Sequence, residues 1–270
     1  MGGQNDDGYC RSAPAYTFVV AVWRSGLKDI LSRKHVNELS LLIARKPLIA
    51  FDFDGTLAPI VDDRDSACMR ASTRRLLRRL SRCLPCVVIS GRMRSDVCAR
   101  LEGIPLVAIV GNHGSEWEGD DHDHALLERV RNWKELLKGE LPRDGVSIED
   151  KSVSLSVHTR HNVSSPDIRR ILNRLTDAKV IGGKRVYNIV PAEAGGKGEA
   201  LLRMMQECKC DCALYIGDDD TDEDVFALFD SEIMTIRVGQ SRNSSAAYYI
   251  ASQAQIDTLL EKMLSWPPCS

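Results

Sequence analysis

Leu48-Ile-Ala-Phe-Asp52-Phe-Asp54-Gly55-Thr56-Leu57 joins four apolar residues to two acids two positions apart, then to Gly-Thr. A short apolar run bounded by a turn signal reads as a strand buried on both faces, the kind found in parallel sheets covered by helices. Strand alternation puts Asp52 and Asp54 on one face. Asp54-Gly55 is a turn signal by itself, but a turn does not account for Asp52 at the end of a buried strand. Open α/β sheets bind ligands at the carboxyl ends of their strands, so these two carboxylates are candidate site residues.

Working outward, the same rhythm continues downstream with a helix near 69–82, a strand over 85–89, a helix near 94–101 and a strand over 106–110. Alternating strands and helices predict a parallel, Rossmann-like α/β sheet. The rhythm then changes. A helix over 124–138 precedes short alternating strands near 146–150 and 153–157, and a helix over 166–177 precedes strands near 179–181 and 185–190, with Gly182-Gly183 read as the hairpin turn. This is an α+β unit with an antiparallel sheet and two helices. After Pro191 the first rhythm resumes: helix 198–208, strand 213–216, helix from 222, strand 233–238 and helix 253–264. The organisation is therefore an α/β core at 47–117 and 191–270, interrupted by a lid-like domain at 118–190. Residues 1–46 form an N-terminal extension. Its first 14 residues are polar, and 26–44 carry apolar residues at helical spacing.

A second acidic stretch follows another apolar strand: Leu214-Tyr-Ile-Gly217-Asp218-Asp219-Asp220-Thr221-Asp222-Glu223-Asp224. Thr221 with Asp224 reads as a capping-box-like helix start, and acids in a first helical turn are favoured by the dipole. Asp218 and Asp219 lie before that cap and need another reason. Both acid groups fall at the same edge of one sheet, where two like charges about 4 Å apart repel by about 4 kcal/mol at an effective dielectric of about 20. Such a gathering needs protons or a cation, and an all-oxygen ligand set with a phosphate nearby suits Mg2+. Two segments could hold that phosphate: Ser90-Gly91-Arg92 at a strand end, and Gly195-Gly-Lys197-Gly198 at a helix start. The latter is not a Walker A loop, because Gly198 follows Lys197 where Ser or Thr is required.

Taken in order, Asp-x-Asp-Gly-Thr, Ser-Gly-Arg, Lys and Gly-Asp-Asp resemble the four motifs of the haloacid dehalogenase (HAD) superfamily of phosphohydrolases. The chain is more narrowly similar to the trehalose-6-phosphate phosphatases. The similarity rests on Asp52-Phe-Asp-Gly-Thr-Leu-Ala-Pro-Ile60, Ser90-Gly-Arg92, Gly111-Asn-His-Gly114, Glu149-Asp-Lys151, His158-Thr-Arg160, Lys197-Gly198 and Gly217-Asp-Asp-Asp-Thr-Asp-Glu-Asp-Val-Phe226. The resemblance implies a HAD-type core with an inserted cap, and Mg2+-dependent hydrolysis of trehalose 6-phosphate through an aspartyl-phosphate. It makes Asp52 the nucleophile, Asp54 the general acid and base, and Lys197 the charge-neutralising group. Asp52, Asp54 through its carbonyl, Asp218 and Asp222 become the metal residues. Thr56, Ser90, Gly91, Arg92, His113, Glu149 and Lys151 become the substrate contacts. A trehalose-6-phosphate synthase is the partner protein it suggests.

One departure bears on specificity. Many members carry Glu-x-Arg/Lys-Pro before the lysine motif, where this chain has Asn188-Ile-Val190-Pro191. A phosphatase for another glycosyl phosphate, such as sucrose 6-phosphate or glucosylglycerol phosphate, is the alternative this keeps open, and a non-catalytic sugar-phosphate sensor is the alternative of a different class. Composition narrows the rest. Lys+Arg 36 against Asp+Glu 38 gives a formal charge of -2, without the cationic excess that nucleic-acid binding requires. The apolar stretch 15–23 is too short to span a bilayer and is flanked by Asp6, Asp7 and Arg24 rather than by signal-peptide features, so no membrane role and a cytoplasmic location are expected. The 9 cysteines, several within apolar runs, fit a reducing compartment. Cys208-Lys-Cys-Asp-Cys212 lacks zinc-knuckle spacing, Cys83-Leu-Pro-Cys86 leads into a strand rather than a helix, and Asp120-Asp-His-Asp-His124 reads as an exposed charged loop.

Overall fold

In the computed structural model, residues 26–61, 63, 66–119, 124–160, 165–183 and 185–266 are described. The apolar stretch 15–23 and most of the Asp120–His124 loop lie outside them. In chain order the elements are β1 (Lys28–Asp29), α1 (Val36–Ala44), β2 (Leu48–Phe51), α2 (Ala71–Leu80), β3 (Cys86–Ile89), α3 (Arg94–Arg100), β4 (Ala108–Val110), α4 (His124–Glu140), β5 (Val146–Asp150), β6 (Leu155–Thr159), α5 (Ser165–Leu172), β7 (Ala178–Gly183), β8 (Val186–Pro191), α6 (Lys197–Cys208), β9 (Ala213–Gly217), α7 (Glu223–Phe226), β10 (Ile233–Val238), β11 (Tyr248–Ile250) and α8 (Ile256–Leu264).

Seven strands form one parallel sheet in the order β1-β11-β10-β9-β2-β3-β4. Helices cover both faces, and the apolar core divides accordingly. Ile49, Phe51, Val88, Leu214 and Ile216 face one layer, while Leu48, Ala50, Val87, Tyr215 and Phe226 face the other. The continuous apolar reading of β2 follows from this, since all four of its residues are buried. Helix α2 turns Thr73, Leu76, Leu77 and Leu80 inward while Arg75, Arg78 and Arg79 face solvent. The strand order reverses between β2 and β9, which makes their shared carboxyl edge the crevice of an open sheet.

The inserted unit is a four-stranded antiparallel sheet, β5-β6-β8-β7, backed by α4 and α5. Val130, Trp133 and Leu137 of α4 and Ile168 and Leu172 of α5 pack on Leu155, Val157 and Ile189. Gly182 and Gly183 are not its hairpin turn. They pair within the strand with Tyr187 and Val186, and Arg185 takes the left-handed turn position at φ 64°. The expected helix over 26–44 is likewise shorter. Lys28 and Asp29 join the sheet edge beside β11, and helix begins only at Val36. Neither β1 nor β11 carries a long enough apolar pattern to be read as a strand alone.

Candidate active site

Strand register brings the two acid groups together. Phe51 lies opposite Ile216, and the Asp52 N–H donates to the Ile216 carbonyl at 2.9 Å, so the chain leaves β2 and β9 side by side. Asp52 ends up only 4% exposed. The turn after it closes through Gly55 N–H to the Ala58 carbonyl (2.8 Å) and Ala58 N–H to the Phe53 carbonyl (2.9 Å). Gly55 is required there twice over: its φ is 79°, and a Cβ would lie 2.1 Å from Asp218 Oδ2.

Beyond β9, the helix cap is Asp219 rather than Thr221. Asp219 accepts from Asp220 N–H, and the Asp222 carboxylate reaches back to Asp219 N–H at 2.9 Å in a capping box. Asp224 has a different task from the one its spacing suggested: it accepts from Gly198 N–H at 3.0 Å and so anchors the start of α6. Lys197 is the first residue of that helix and is 2% exposed. Its ammonium donates to Asp52 Oδ1 at 2.8 Å and to Asp222 Oδ1 at 2.7 Å.

These contacts set the charge balance. Carboxylate oxygens of Asp52, Asp218 and Asp222 all lie within 4.8 Å of one another. Burial raises the Asp52 carboxyl to about 7, with Lys197 opposing the rise and Asp222 and Asp54 adding to it. Burial, then Asp52 and Asp222, raises Asp218 to about 8. Burial works against the Lys197 charge, yet Asp222 and Asp52 outweigh it and hold its pKa above the ordinary lysine value. When all three are ionised, the carboxylates exceed the one ammonium by two negative charges, which adds to burial in raising Asp52 and Asp218, and the donors are all oxygen. The set fits a hard divalent cation. No cysteine or histidine joins such a group among the described residues.

Asp54 turns away from this cluster. Arg92, 4% exposed, grips it with both arms, Nε to Oδ2 at 2.6 Å and Nη2 to Oδ1 at 2.8 Å, while Nη1 donates to Asp96 at 2.8 Å. This pairing keeps the guanidinium charged and engages the side chain expected to meet a sugar. A cavity of about 800 Å³ stands over the cluster, lined from the core by Asp52, Asp54, Ile60, Arg92, Lys197 and Asp218 and from the inserted unit by His158, Arg185 and Asn188.

Gly91 also lines the cavity, and the remaining expected contacts are engaged within the protein. Thr56 Oγ1 donates to Asp218 at 3.4 Å, and Ser90 Oγ accepts from the Arg92 N–H at 3.2 Å. The His113 ring packs against Gly91, where a Cβ would lie 2.4 Å from its Cε1. Glu149 pairs with His158 at 2.8 Å. Lys151, 3% exposed, donates to the Gly91 carbonyl at 2.9 Å, and Ser154 donates to Asn112 Oδ1 at 3.0 Å, so this pair ties the inserted unit to the core. Asn188 accepts from Ser156 at 2.6 Å, and Val190 is buried.

Sequence reasoning passed over Tyr215, whose hydroxyl donates to Asp222 Oδ1 at 2.6 Å, and Asp96, which braces Arg92. A phenol in a strand buried on both faces was the available signal for the first.

The signature of the trehalose-phosphatase family matches residues 50–254. Among curated relatives, a probable trehalose-phosphate phosphatase E of Arabidopsis thaliana is 27% identical over 252 residues, covering 82% of this chain and 71% of that one. The trehalose-phosphate phosphatase of Mycobacterium tuberculosis H37Rv is 29% identical over 245 residues, covering 82% and 62%. The C-terminal domain of the C. albicans trehalose-6-phosphate phosphatase superposes with a TM-score of 0.69 at 22% identity, over 89% of this chain and 99% of that one, a likeness of fold.

Proposed function

The chain belongs to the trehalose-phosphatase family, and on that premise we propose that it hydrolyses trehalose 6-phosphate to trehalose and phosphate in two displacements. The observation that carries the mechanism is the Lys197 ammonium bridging Asp52 and Asp222 at 2.8 and 2.7 Å on the cavity floor. An ammonium has three donors. With two given to carboxylates, the third is left for a phosphoryl oxygen, where positive charge offsets the charge gathering in the transition state.

A carboxylate oxygen of Asp52 attacks phosphorus, the bond to the sugar oxygen breaks, and Asp54 supplies that oxygen with a proton. Asp54 then takes a proton from water as the water attacks the aspartyl-phosphate, which releases phosphate and restores Asp52. Arg92 takes one lone pair on each oxygen of Asp54, which leaves the second lone pair of either oxygen for the proton transfers. Ser90 and Gly91 border the phosphoryl position in this reading, and Thr56 steadies Asp218. Magnesium, held by Asp52, Asp218 and the Asp54 carbonyl with Asp222 behind them, would neutralise the phosphoryl charge that the three carboxylates otherwise repel.

The inserted unit at 118–190 serves as the cap that covers the sugar and excludes bulk water. Lys151 and Ser154 support this by fastening it over the Ser90–Arg92 loop, with His113 packed beneath. Glu149 takes part through His158, which lines the cavity. A reducing, cytoplasmic setting goes with this reading, supported by cysteines that sit within the apolar core, such as Cys86 in β3 and Cys212. Association with a trehalose-6-phosphate synthase is its partner proposal, checked by co-purification.

The test is phosphate release with magnesium or with chelator, from trehalose 6-phosphate beside glucose 6-phosphate, sucrose 6-phosphate and glucosylglycerol phosphate. Preference for trehalose 6-phosphate, abolished by chelation and by Asp52→Asn, supports the proposal. One observation favours a second reading. Asn188 faces Ser156 and Val190 is buried where many relatives carry an acid and a base, so turnover mainly of another glycosyl phosphate would keep the mechanism and move the substrate.

A further inference from the structure

We propose that the Tyr215 hydroxyl is a positioning group for Lys197, acting through Asp222; the proposal rests on the reading that Lys197 serves phosphoryl transfer. Tyr215 sits in the middle of β9, fully buried on the sheet face opposite Leu214 and Ile216, with its ring edge-on to Phe226 at 6.0 Å and 72°. Packing alone asks only for the ring, and phenylalanine would supply it. A phenol hydroxyl taken out of water needs a partner, and the one it finds is Asp222 Oδ1 at 2.6 Å.

That oxygen is the one that accepts from Lys197 at 2.7 Å, while Oδ2 is occupied by the Asp219 N–H at 2.9 Å. Asp222 is wholly buried, and Gly217 closes its other side, so the carboxylate is held by three donors and a wall of backbone. The hydroxyl takes up part of the accepting power of Oδ1. Without it, a buried carboxylate oxygen would have the ammonium as its single donor and would draw it closer. Lys197 would then shift toward Asp222 at the expense of Asp52 and of the phosphoryl oxygen awaiting its third hydrogen. Tyr215 touches no substrate and acts only by where it leaves the ammonium.

Tyr215→Phe is the test, with Phe226→Leu as the packing control that disturbs the same ring and keeps the hydroxyl. The expected result for Tyr215→Phe is a fall in kcat of about tenfold to a hundredfold, with KM changed by less than about threefold, as for a group misplaced in the transition state. Orthovanadate, which adopts the five-coordinate geometry of the transfer, should bind about tenfold more weakly by calorimetry while orthophosphate affinity changes little. Phe226→Leu should lower the thermal midpoint and leave kcat within about threefold. Tyr215→Phe with parental kcat and parental vanadate affinity would overturn the proposal, as would an equal kcat loss in Phe226→Leu. Lys197→Met separates the two layers: if that variant keeps full turnover, the reading of Lys197 itself has failed, whatever Tyr215 does.

Discussion

Gly217→Ala is the sharpest single perturbation of this site. Gly217 ends β9, and it is not among the residues with positive φ, so backbone freedom is not the reason for glycine here. Space is the reason. A Cβ at this position would lie 2.3 Å from Asp222 Cγ, 2.4 Å from Oδ2 and 2.8 Å from Cβ. Carbon atoms in comfortable contact stand about 3.5–4.0 Å apart, so the Asp222 side chain must withdraw by more than about 1 Å. It has no slack to do so, because Oδ1 holds Lys197 at 2.7 Å and Oδ2 holds the Asp219 N–H at 2.9 Å. Either bond stretched by about 1 Å leaves the hydrogen-bonding range. Misplacing a reacting group by about 1 Å costs about a hundredfold in rate. Overpacking costs about 1–3 kcal/mol of stability, partly offset by about 0.4–1 kcal/mol because alanine restricts the unfolded chain. The expected outcome is therefore an enzyme that folds, unfolds a few degrees earlier, and has lost about two decades of kcat. Phosphate release measured well below the unfolding midpoint, beside thermal unfolding followed by circular dichroism, checks both parts. A variant within about threefold of the parental kcat would refute the reasoning, because it would mean that Asp222 and Lys197 need not be held where they stand.

Three further outcomes are expected. Asp52→Asn should lose at least about a thousandfold in turnover while still binding trehalose 6-phosphate in calorimetry, and retained turnover would remove Asp52 as nucleophile. Lys151→Met removes the ammonium that donates to the Gly91 carbonyl, so KM should rise about tenfold, the equivalent of one charged hydrogen bond, with the thermal midpoint little changed; an unaltered KM would argue that the cap needs no such tie. Asp257 joins α8 to α2 by accepting from Ser72 at 2.6 Å and Thr73 at 2.5 Å. Burial pushes its carboxyl up, but those hydroxyls and Arg70 hold it below the ordinary value. Its contribution is thus complete above the unfolded carboxyl pKa near about 3.9 and is lost as pH falls through the lower folded value. Asp257→Asn should cost about 2 kcal/mol in denaturant unfolding at pH 7, with the gap to the parent closing as pH falls through the lowered folded value, and a gap independent of pH would disprove the linkage.

What could be read from the chain alone was whatever depends on neighbours within a few residues. The apolar run of β2 and the acids that follow it, and the switch from α/β rhythm to an antiparallel unit and back, are properties of local periodicity, and the structure has them where they were read. Even the meeting of Asp52 with Asp218 was implied, since both close apolar strands and parallel strands end at one edge. Short elements escaped because two or three residues carry no period: β1 and β11 exist only because the sheet offers them a partner. The cap of the acidic stretch was misplaced from Asp219 to Thr221 for a related reason. Six acids in seven positions make every local pattern available, and which carboxylate caps depends on where Lys197 has already drawn Asp222.

Partner choice in the site was decided by the tertiary fold. Arg92 and Lys151 were expected as sugar contacts through the family resemblance, which carries residue type and order but no partner distances. In the folded chain, Asp54 stands within reach of Arg92, and the Gly91 carbonyl within reach of Lys151 across 60 residues. Asn188 and Val190 could be named from the chain as a departure, but that one faces Ser156 and the other packs inside required the cap sheet to be formed. The roles of Tyr215 as a donor and Gly217 as a wall follow from Asp222 folding back against the strand that precedes it. Residue type and spacing determined which chemistry this chain carries. Which charges neutralise one another, and which one is left facing the cavity, was determined by distances that exist only after β2, β9 and the start of α6 have met.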